Sequence, residues 1–288
     1  MTILIYGLIQ SVTLMLYGYG FSLVYGISGI ANFAHGGFYV LGGFISWCVM
    51  KHLGVPYFAS AVISVFIMGL IGFVFYWGIL LRIRGIILSE LVITYVSGIA
   101  ILEVLTWKGV YGFYYNLPNF IEGSIMIGKE SVDYQRLIVL ASGAVLAGLM
   151  WLFVHHTNAG LSFRGIAQEE RTALSLGIES DWVGSLSLAL GSALATVAAV
   201  MVLPLGVLEA NVGYEVLIYA VTVAIVGGLE STKGMVLASF IIGFGQILVA
   251  EFIGSSWMII VPLATIVVIL AIRPSGLFGK FKELEERI

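Results

Sequence analysis

The chain has 288 residues, of which 60% are hydrophobic and 10% are charged, and its mean hydropathy is +1.08. Soluble domains carry about 25% charged residues, so this composition excludes a soluble globular protein and indicates a membrane protein. The net charge of -3 is small and dispersed, which argues against a nucleic-acid partner, and the single cysteine excludes an internal disulfide and a cysteine metal cluster.

Long charge-free windows recur along the chain and predict its membrane-spanning helices. A helix needs about 20 apolar residues to cross a hydrocarbon layer of about 30 Å, and alternating strand patterns are absent from the sequence. We therefore expect an all-α integral membrane protein, a polytopic bundle of about eight or nine transmembrane helices with a broken or short segment near the N-terminus. The predicted crossings, in chain order, are residues 3–26, 36–50, 57–81, 86–107, 137–154, 183–203, 214–229, 234–253 and 257–272.

The first predicted break is the stretch NFAHGGF, residues 32–38, which interrupts an apolar region. Irregular backbone is tolerated in lipid only where protein buries it or where it lines a wet cavity. Gly36 and Gly37 permit close backbone approach, and Asn32 and His35 can pair with groups that a broken helix leaves free. Two interpretations stay open: a helix break beside a central pathway, or close helix packing with His35 bonded to a neighbouring carbonyl.

The basic residues predict the orientation. With nine crossings and a cytoplasmic C-terminus, nine basic residues fall on one side and four on the other, and the positive-inside rule places the richer side in the cytoplasm. The richer side holds Arg82, Arg84, Arg164, Arg171, Lys233, Arg273, Lys280, Lys282 and Arg287, and the poorer side holds Lys51, Lys108, Lys129 and Arg136. The N-terminus is then external, unless residues 27–50 form a re-entrant segment.

Several acidic residues lie close to predicted membrane segments. Glu103, Glu209, Glu215 and Glu251 are placed near the outer ends of their segments, where they can meet an external protein or lie among lipid headgroups. Glu90 follows RIRG and is placed one turn inside the membrane, so we expect it to pair with Arg82 or Arg84.

Small residues at helical spacing predict helix contacts rather than ligand sites. They are Gly191, Ala195 and Ala199 in one segment and Gly143 and Ala147 in another. A fainter pattern pairs AN at 31–32 and GF at 37–38 with AN at 210–211 and GY at 213–214. The predicted topology puts these two pairs on opposite sides of the membrane, which fits an inverted repeat, although so few residues can also match by chance.

The polar loop at residues 155–181 predicts a short amphipathic helix from Leu161 to a stop at Gly177. Its apolar face contains Phe163, Ile166, Ala167, Leu174 and Ile178, and its polar side contains Arg164, Gln168, Glu169, Glu170 and Arg171. Such a helix can dock into a groove of a cytoplasmic partner or remain a solvated surface helix. His155 and His156 are adjacent and no further ligand joins them, so a metal site is not expected.

Two classes of added domain are not expected. No P-loop pattern is present and neither polar loop can form an independent core, so any ATP that the protein uses is bound by a partner. The first charge is Lys51, too late for the basic start of a signal peptide, so we expect the N-terminal stretch to be retained. One transmembrane domain is expected over residues 1–288.

Five motifs together resemble one protein family. They are YGYGFSLVYGISGIANFAHGGFYVLGGF, LVITYVSGIAILE, FRGIAQEERTALSLGI, IVGGLESTKGMVLASFIIG and ILAIRPSGLFG. In this order they resemble the permease subunits of branched-chain amino-acid ABC importers, whose coupling segment corresponds to FRGIAQEERTALSLGI. The resemblance spans residues 18–279. Glu230 departs from it, since the family usually has Gly there, and IYAVTVAI replaces a stretch that usually contains Lys and Phe.

The resemblance implies an inner-membrane permease subunit, not an enzyme, that moves branched-chain or related small amino acids inward from a solute-binding protein. Its implied partners are a second permease subunit in a homodimer or heterodimer, two cytoplasmic ABC ATPase subunits, a periplasmic or extracellular binding protein and membrane lipid. The chain itself is expected to bind no cofactor, because ATP and Mg belong to the ATPases. The two departures keep urea or small carboxylates as alternative substrates.

Other functional classes also stay open. A secondary transporter working without an ATPase would need an ionisable residue at mid-membrane depth, and His35 is the one evident from the sequence. A channel or a purely structural subunit would not need an amphipathic loop of this kind.

Two sets of site residues are expected, one from the resemblance of the coupling segment and one from the broken segment, the motif that contains Thr94 and the faint repeat. The expected ATPase-coupling residues are Arg164, Ile166, Gln168, Glu169, Glu170, Arg171, Leu174 and Gly177. The expected residues of the translocation path are Asn32, His35, Gly36, Gly37, Thr94 and Asn211.

Overall fold

A computed structural model describes residues 2–110, 115–128 and 130–279 of the chain. Its described part contains eleven α-helices and two short strands. The helices are α1 (Thr2–Ser28), α2 (His35–Leu53), α3 (Tyr57–Gly78), α4 (Ile87–Trp107), α5 (Tyr134–His156), α6 (Asn158–Gln168), α7 (Glu170–Ser175), α8 (Ser180–Val202), α9 (Val212–Gly227), α10 (Thr232–Phe252) and α11 (Ile260–Ile272). The strands are β1 (Ser124–Ile127) and β2 (Glu130–Asp133).

The expected multi-pass helical bundle is confirmed. Seven helical segments of the described residues are long and apolar enough to cross a membrane, by length and composition. They are Thr2–Ser28, Tyr57–Arg82, Ile87–Trp107, Tyr134–His156, Ser180–Leu205, Thr232–Phe252 and Ser255–Ile272. Helix α2 and the shorter apolar helix α9 complete the bundle, so each of the nine predicted crossings corresponds to one helix.

Helix α1 is the central helix of the bundle. It packs against α5, α8, α9 and α10, and every residue from Ser11 to Val24 is buried. Small residues make this possible: a Cβ on Gly191 of α8 would overlap Val24, and one on Gly143 of α5 would overlap Val12. The predicted helix contacts are therefore confirmed at Gly191 and Gly143. They are also confirmed at Ala195 and Ala199, which are fully buried, and at Ala147, which packs against the core.

The bundle has two distinct ends. At the hairpin end, β1 and β2 pair antiparallel with Ser124 opposite Asp133, and the Thr2 hydroxyl at the start of α1 donates to Glu130 Oε1 (2.8 Å). This hairpin within the long polar loop is an addition to the all-α expectation. At the opposite end, which we call the α6–α7 end, those two helices connect α5 to α8, and Thr157 caps α6 by accepting from the Gly160 amide (2.9 Å).

Two helices of the bundle begin near its mid-height. After α1 ends at Ser28, residues 29–34 are non-helical and α2 begins at His35, whose Nε2 lies 2.9 Å from the carbonyl oxygen of Tyr17 near the middle of α1. Residues 29–34 thus lead the chain back into the bundle from the α6–α7 end, and α2 completes the crossing to the hairpin end. Residues 27–50 are therefore a broken crossing and not a re-entrant segment, and the start of α1 lies at the hairpin end. From the hairpin end, residues 206–211 re-enter in the opposite direction and α9 begins at Val212.

The starts of α2 and α9 meet. A Cβ on Gly36 would overlap the carbonyl oxygen of Gly213, and one on Gly213 would lie 2.9 Å from the carbonyl oxygen of Gly36. From this crossing α2 runs toward the hairpin end and α9 toward the α6–α7 end. The geometry fits the inverted repeat predicted from the paired AN and G positions, and it fits transporter folds in which discontinuous helices meet at the midplane.

The last described residues close the end of α9. The Leu277 amide donates to the Val226 carbonyl (2.9 Å) and the Phe278 amide to the Gly227 carbonyl (3.0 Å). The final carbonyls of a helix have no partner within the helix, so this contact satisfies groups that would otherwise be exposed in or near lipid. Gly228 follows with φ +101°, a conformation that favours glycine. The contact brings the GGLE and RPSGLFG motifs of the sequence together.

Candidate translocation path and coupling surface

The broken segment before α2 is fixed by side chains. Asn32 is buried, and its Oδ1 accepts from the Ala34 amide (3.1 Å), a local turn that competes with helix formation. The hydroxyl of Thr94, fully buried in α4, accepts from the Phe33 amide (3.3 Å) and donates to the Glu90 carbonyl (2.9 Å). Asn32 and Thr94 therefore hold the break at a fixed height against α4.

The two glycines of NFAHGGF are explained by close packing on both sides of α2. Gly36 lies against Gly213 of α9, as described above. A Cβ on Gly37 would lie 3.0 Å from the carbonyl oxygen of Gly98, near the middle of α4. The start of α2 is thus held between α9 and α4, and any side chain at Gly36 would push α9 away.

His35 is buried at the start of α2 and bonded to α1. Because the Tyr17 carbonyl can only accept, the proton of the neutral imidazole lies on Nε2. His35 Nδ1 and the Asn32 side-chain nitrogen have no hydrogen-bond partner among the described residues. Buried polar atoms are normally paired, so these two atoms give the break unused capacity to donate and to accept.

Five of the six predicted path residues come together at this break: Asn32, His35, Gly36, Gly37 and Thr94. Asn211 directly precedes α9, but its side chain is exposed and makes no capping bond with the helix. Asn32 and Asn211 each precede one of the two helix starts, but Asn32 is buried and Asn211 is exposed, so their environments differ.

An open groove lies beside the two helix starts and was not predicted from the sequence. It has a volume of about 410 Å³ and is formed by α4, α9, α11 and Phe33. Its lining is almost entirely apolar and includes Leu91, Tyr95, Leu217, Ile218 and Leu263. Each helix contributes an ordinary apolar segment, so only their packing reveals the groove.

The expected position of one acidic residue is wrong. Glu103 and Glu251 lie near the hairpin-end termini of α4 and α10, as expected, but Glu215 lies in the first turn of α9, beside the Gly36–Gly213 crossing. Its side chain is exposed. The segment count assumed that α9 starts at the membrane surface, whereas residues 206–211 carry its start to mid-height.

The predicted amphipathic helix of the polar loop is two helices, α6 and α7, separated at Glu169, whose backbone is extended (φ -157°, ψ 97°). Phe163 and Ile166 are buried as expected, and the Phe163 ring packs 5.6 Å from that of Phe153. Leu174 was wrongly assigned to the same face, because the break turns it outward and leaves it 49% exposed.

The remaining predicted coupling residues divide by exposure. Gln168, Glu169, Glu170, Arg171 and Gly177 are exposed, and Arg164 is half-buried. Gly177 has φ +85° just after α7, which confirms the predicted stop. Leu176, which the sequence did not single out, directly follows α7 and is 78% exposed, so α7 and the turn after it present two exposed leucines near several charged residues.

Arg84 ties this surface to the membrane helices, a role that the sequence did not suggest. It donates to Glu170 Oε1 of α7 (2.7 Å), to Asp181 of α8 and to the Ser180 hydroxyl, which in turn donates to Glu170. Burial alone lowers the pKa of the Arg84 guanidinium, but the interactions with Tyr76 and the two carboxylates outweigh it and raise that pKa above its ordinary value. Arg84 therefore keeps its charge at every physiological pH.

The expected pairing of Glu90 with Arg82 or Arg84 is wrong. Glu90 is buried, and its Oε1 accepts from the Gly85 amide (2.8 Å) in the loop before α4. Gly85 has φ +90°, which turns its amide back toward the first turn of α4. A backbone donor thus replaces the expected cation, and Arg84 is left for α7 and α8.

Comparison with known proteins matches residues 3–270 to a family model described as branched-chain amino acid transport system, permease component. The high-affinity branched-chain amino acid transport system permease protein BraD of Pseudomonas aeruginosa is 27% identical, over 96% of this chain and 95% of that protein. The corresponding permease LivH of Escherichia coli K12 is 26% identical, over 93% of this chain and 92% of that protein.

A solved structure, PsaBC from Streptococcus pneumoniae in complex with Fab, matches with a TM-score of 0.53, over 96% of this chain and 94% of that chain. At 14% sequence identity, this likeness supports the fold alone.

Proposed function

Because the chain belongs to the branched-chain amino acid permease family, we propose that it is the membrane-spanning subunit of an ABC importer that moves branched-chain or related small amino acids into the cell. In this proposal the chain lies in the inner (plasma) membrane and pairs with a second permease subunit. Two ATPase subunits bind the α6–α7 end in the cytoplasm, and a solute-binding protein delivers the amino acid at the hairpin end.

The observation that carries the proposal is the exposed surface of α7. Leu174 and Leu176 are exposed next to Glu170 and Arg171, while Arg84 holds α7 against the bundle. A solvated loop has no need of two exposed leucines at a helix held in this way, whereas a groove of a partner protein would bury them.

The contacts of α6 and α7 supply a route for coupling. Phe163 packs against α5, and Arg84 joins α7 to α8 and to the loop that leads into α4. Helix α4 lines the groove and holds the break before α2. Closure of the ATPase pair would displace α6 and α7, and the bundle would follow into its alternative state. Differential contact of the ATPases with the two states drives the shift.

Co-purification with the ATPase subunits tests this proposal. We expect Leu174→Asp to reduce recovery of the ATPases at least fivefold, because a charge replaces an apolar contact. Leu53→Asp is the matched control, since Leu53 is 65% exposed at the hairpin end and should have no effect. Equal recovery with both variants would contradict the proposed docking surface.

Transport by the complete system in proteoliposomes tests the energy source and the substrate. We expect uptake of leucine that requires the binding protein, the ATPases and ATP. Glu215 at mid-height supplies the kind of group that a secondary transporter uses, so uptake that persisted without ATPases would favour that class. Transport of urea or a small carboxylate in place of leucine would select those alternatives.

A further inference from the structure

We infer that Glu215 lines the translocation path and that its carboxylate binds the ammonium group of the amino acid as it passes. This inference rests on the proposed function and names the residue that selects the charge of the substrate. The Glu215 carboxylate is exposed on the side of the bundle, at the height where lipid would surround an isolated chain.

Contacts with three other helices establish the depth of Glu215. Two residues before it on α9, Gly213 touches Gly36, and the adjacent Gly37 touches Gly98 near the middle of α4. One turn after it, the ring of Tyr219 stacks on that of Tyr17 near the middle of α1, with centroids 6.3 Å apart. Glu215 therefore lies within the hydrocarbon zone and not at a membrane surface.

A carboxylate at this depth cannot face lipid without a large free-energy cost, so in the assembled protein it faces water or a cation. The Glu215 carboxylate has no hydrogen-bond or ion-pair partner in the part of the chain that the structure describes. Every described Lys and Arg lies at one end of the bundle, in a terminal turn, in a connecting loop or, for Arg164, in α6 at the α6–α7 end. A second copy of these described residues therefore brings no cation to mid-height.

The surroundings of Glu215 match the chemistry of one solute class. The groove begins on the same helix, where Leu217 and Ile218 of α9 form part of its lining. A carboxylate beside an apolar groove complements an ammonium group carried next to an apolar side chain. The same carboxylate would repel a small carboxylate anion that has no ammonium group, and it would gain no ion pair from urea.

Leucine transport by the complete complex in proteoliposomes tests this inference. We expect Glu215→Gln to lower ATP-dependent leucine uptake at least tenfold, because an amide of the same shape cannot pair with the ammonium group. ATP hydrolysis stimulated by the binding protein should stay within twofold of wild type, which shows that the complex is intact. Glu215→Asp should retain part of the uptake, and Glu103→Gln, an exposed carboxylate of α4 near the hairpin end, should match wild type.

A labelling experiment keeps the test valid if Glu215→Gln fails to assemble. Cys48 is the single cysteine of the chain, so Cys48→Ala provides a background for Glu215→Cys. We expect a cationic, water-soluble thiol reagent to label position 215 in the assembled complex, and turnover with leucine to slow that labelling at least threefold.

The outcomes separate the two proposals. If the wild-type complex transports no amino acid, the proposed function fails. If wild type transports leucine and Glu215→Gln does so equally well, the inference about Glu215 alone is overturned. If position 215 reacts with the reagent in the isolated chain but not in the complex, Glu215 is a subunit contact, and the inference is also overturned.

Discussion

The glycine and polar residues at the crossing of α2 and α9 are the sequence signal from which the local break in the fold can be predicted. A sequence predicts such a break because an amide, an imidazole and two glycines interrupt an apolar run, and Asn32, His35 and Gly36 do lie there. The same reasoning missed the depth of Glu215. Its neighbours along the chain are those of an ordinary helix start, and only the re-entry of residues 206–211 moves it to mid-height.

Substitution of Gly36 tests the crossing. We expect Gly36→Ala to destabilise the protein by about 1–3 kcal/mol, because the new methyl group would overlap the Gly213 backbone and force α2 and α9 apart. The measurement is the thermal unfolding midpoint of the detergent-solubilised protein, monitored by size-exclusion chromatography. The control is Gly148→Ala on α5, where no atom of another element lies within 4 Å and no loss of stability is expected. Equal midpoints for the two variants would contradict the close crossing.

At the scale of elements, hydropathy predicted where the bundle helices are but not how the polar loop folds. Periodicity over residues 161–178 fits one helix, since Phe163, Ile166 and Leu174 share a face at 3.6 residues per turn. The helix breaks at Glu169 instead. Glu170, just after the break, accepts a hydrogen bond from Arg84, which lies far away in the sequence. No local pattern contains this contact, so it could not be predicted from the segment itself.

A double-mutant cycle tests whether Arg84 positions α7. We expect Arg84→Ala and Glu170→Ala each to lower ATPase-coupled leucine uptake several-fold, and the double variant to lower it little further, because each change removes the same contact. Arg82→Ala is the control, since the Arg82 side chain has no hydrogen bond or ion pair in the described part of the chain. Additive losses would show that Arg84 and Glu170 act independently.

At the scale of the whole molecule, charge predicts direction. Helix ends and loops divide the described Lys and Arg residues unequally between the two ends, and the basic α6–α7 end is expected in the cytoplasm. The nine predicted crossings were sufficient to assign each of these basic residues to one end. The opposed segments before α2 and α9 were visible in the sequence only as a faint repeat, because their similarity lies in backbone path and not in side-chain identity.

Labelling of intact cells with a membrane-impermeant thiol reagent tests this direction. In the Cys48→Ala background, we expect Met126→Cys in β1 to react from outside and Leu176→Cys beside α7 to react only after permeabilisation. Both positions are highly exposed, at 66% and 78%, so access to the reagent is decided by the membrane. Reaction of Leu176→Cys in intact cells would reverse the orientation and remove the ATPases from α7.

The closure of α9 by Leu277 and Phe278 has a consequence for biogenesis. The ribosome makes α9 well before these residues. The Val226 and Gly227 carbonyls of the nascent helix therefore have no hydrogen bond from the Leu277 and Phe278 amides until those residues are added. Only a polypeptide translated through Phe278 can complete that helix. A polypeptide truncated before Leu277 would leave both carbonyls without these donors, and unpaired backbone groups are costly in or near lipid, so stable insertion of α9 is expected to depend on completion of the chain through Phe278.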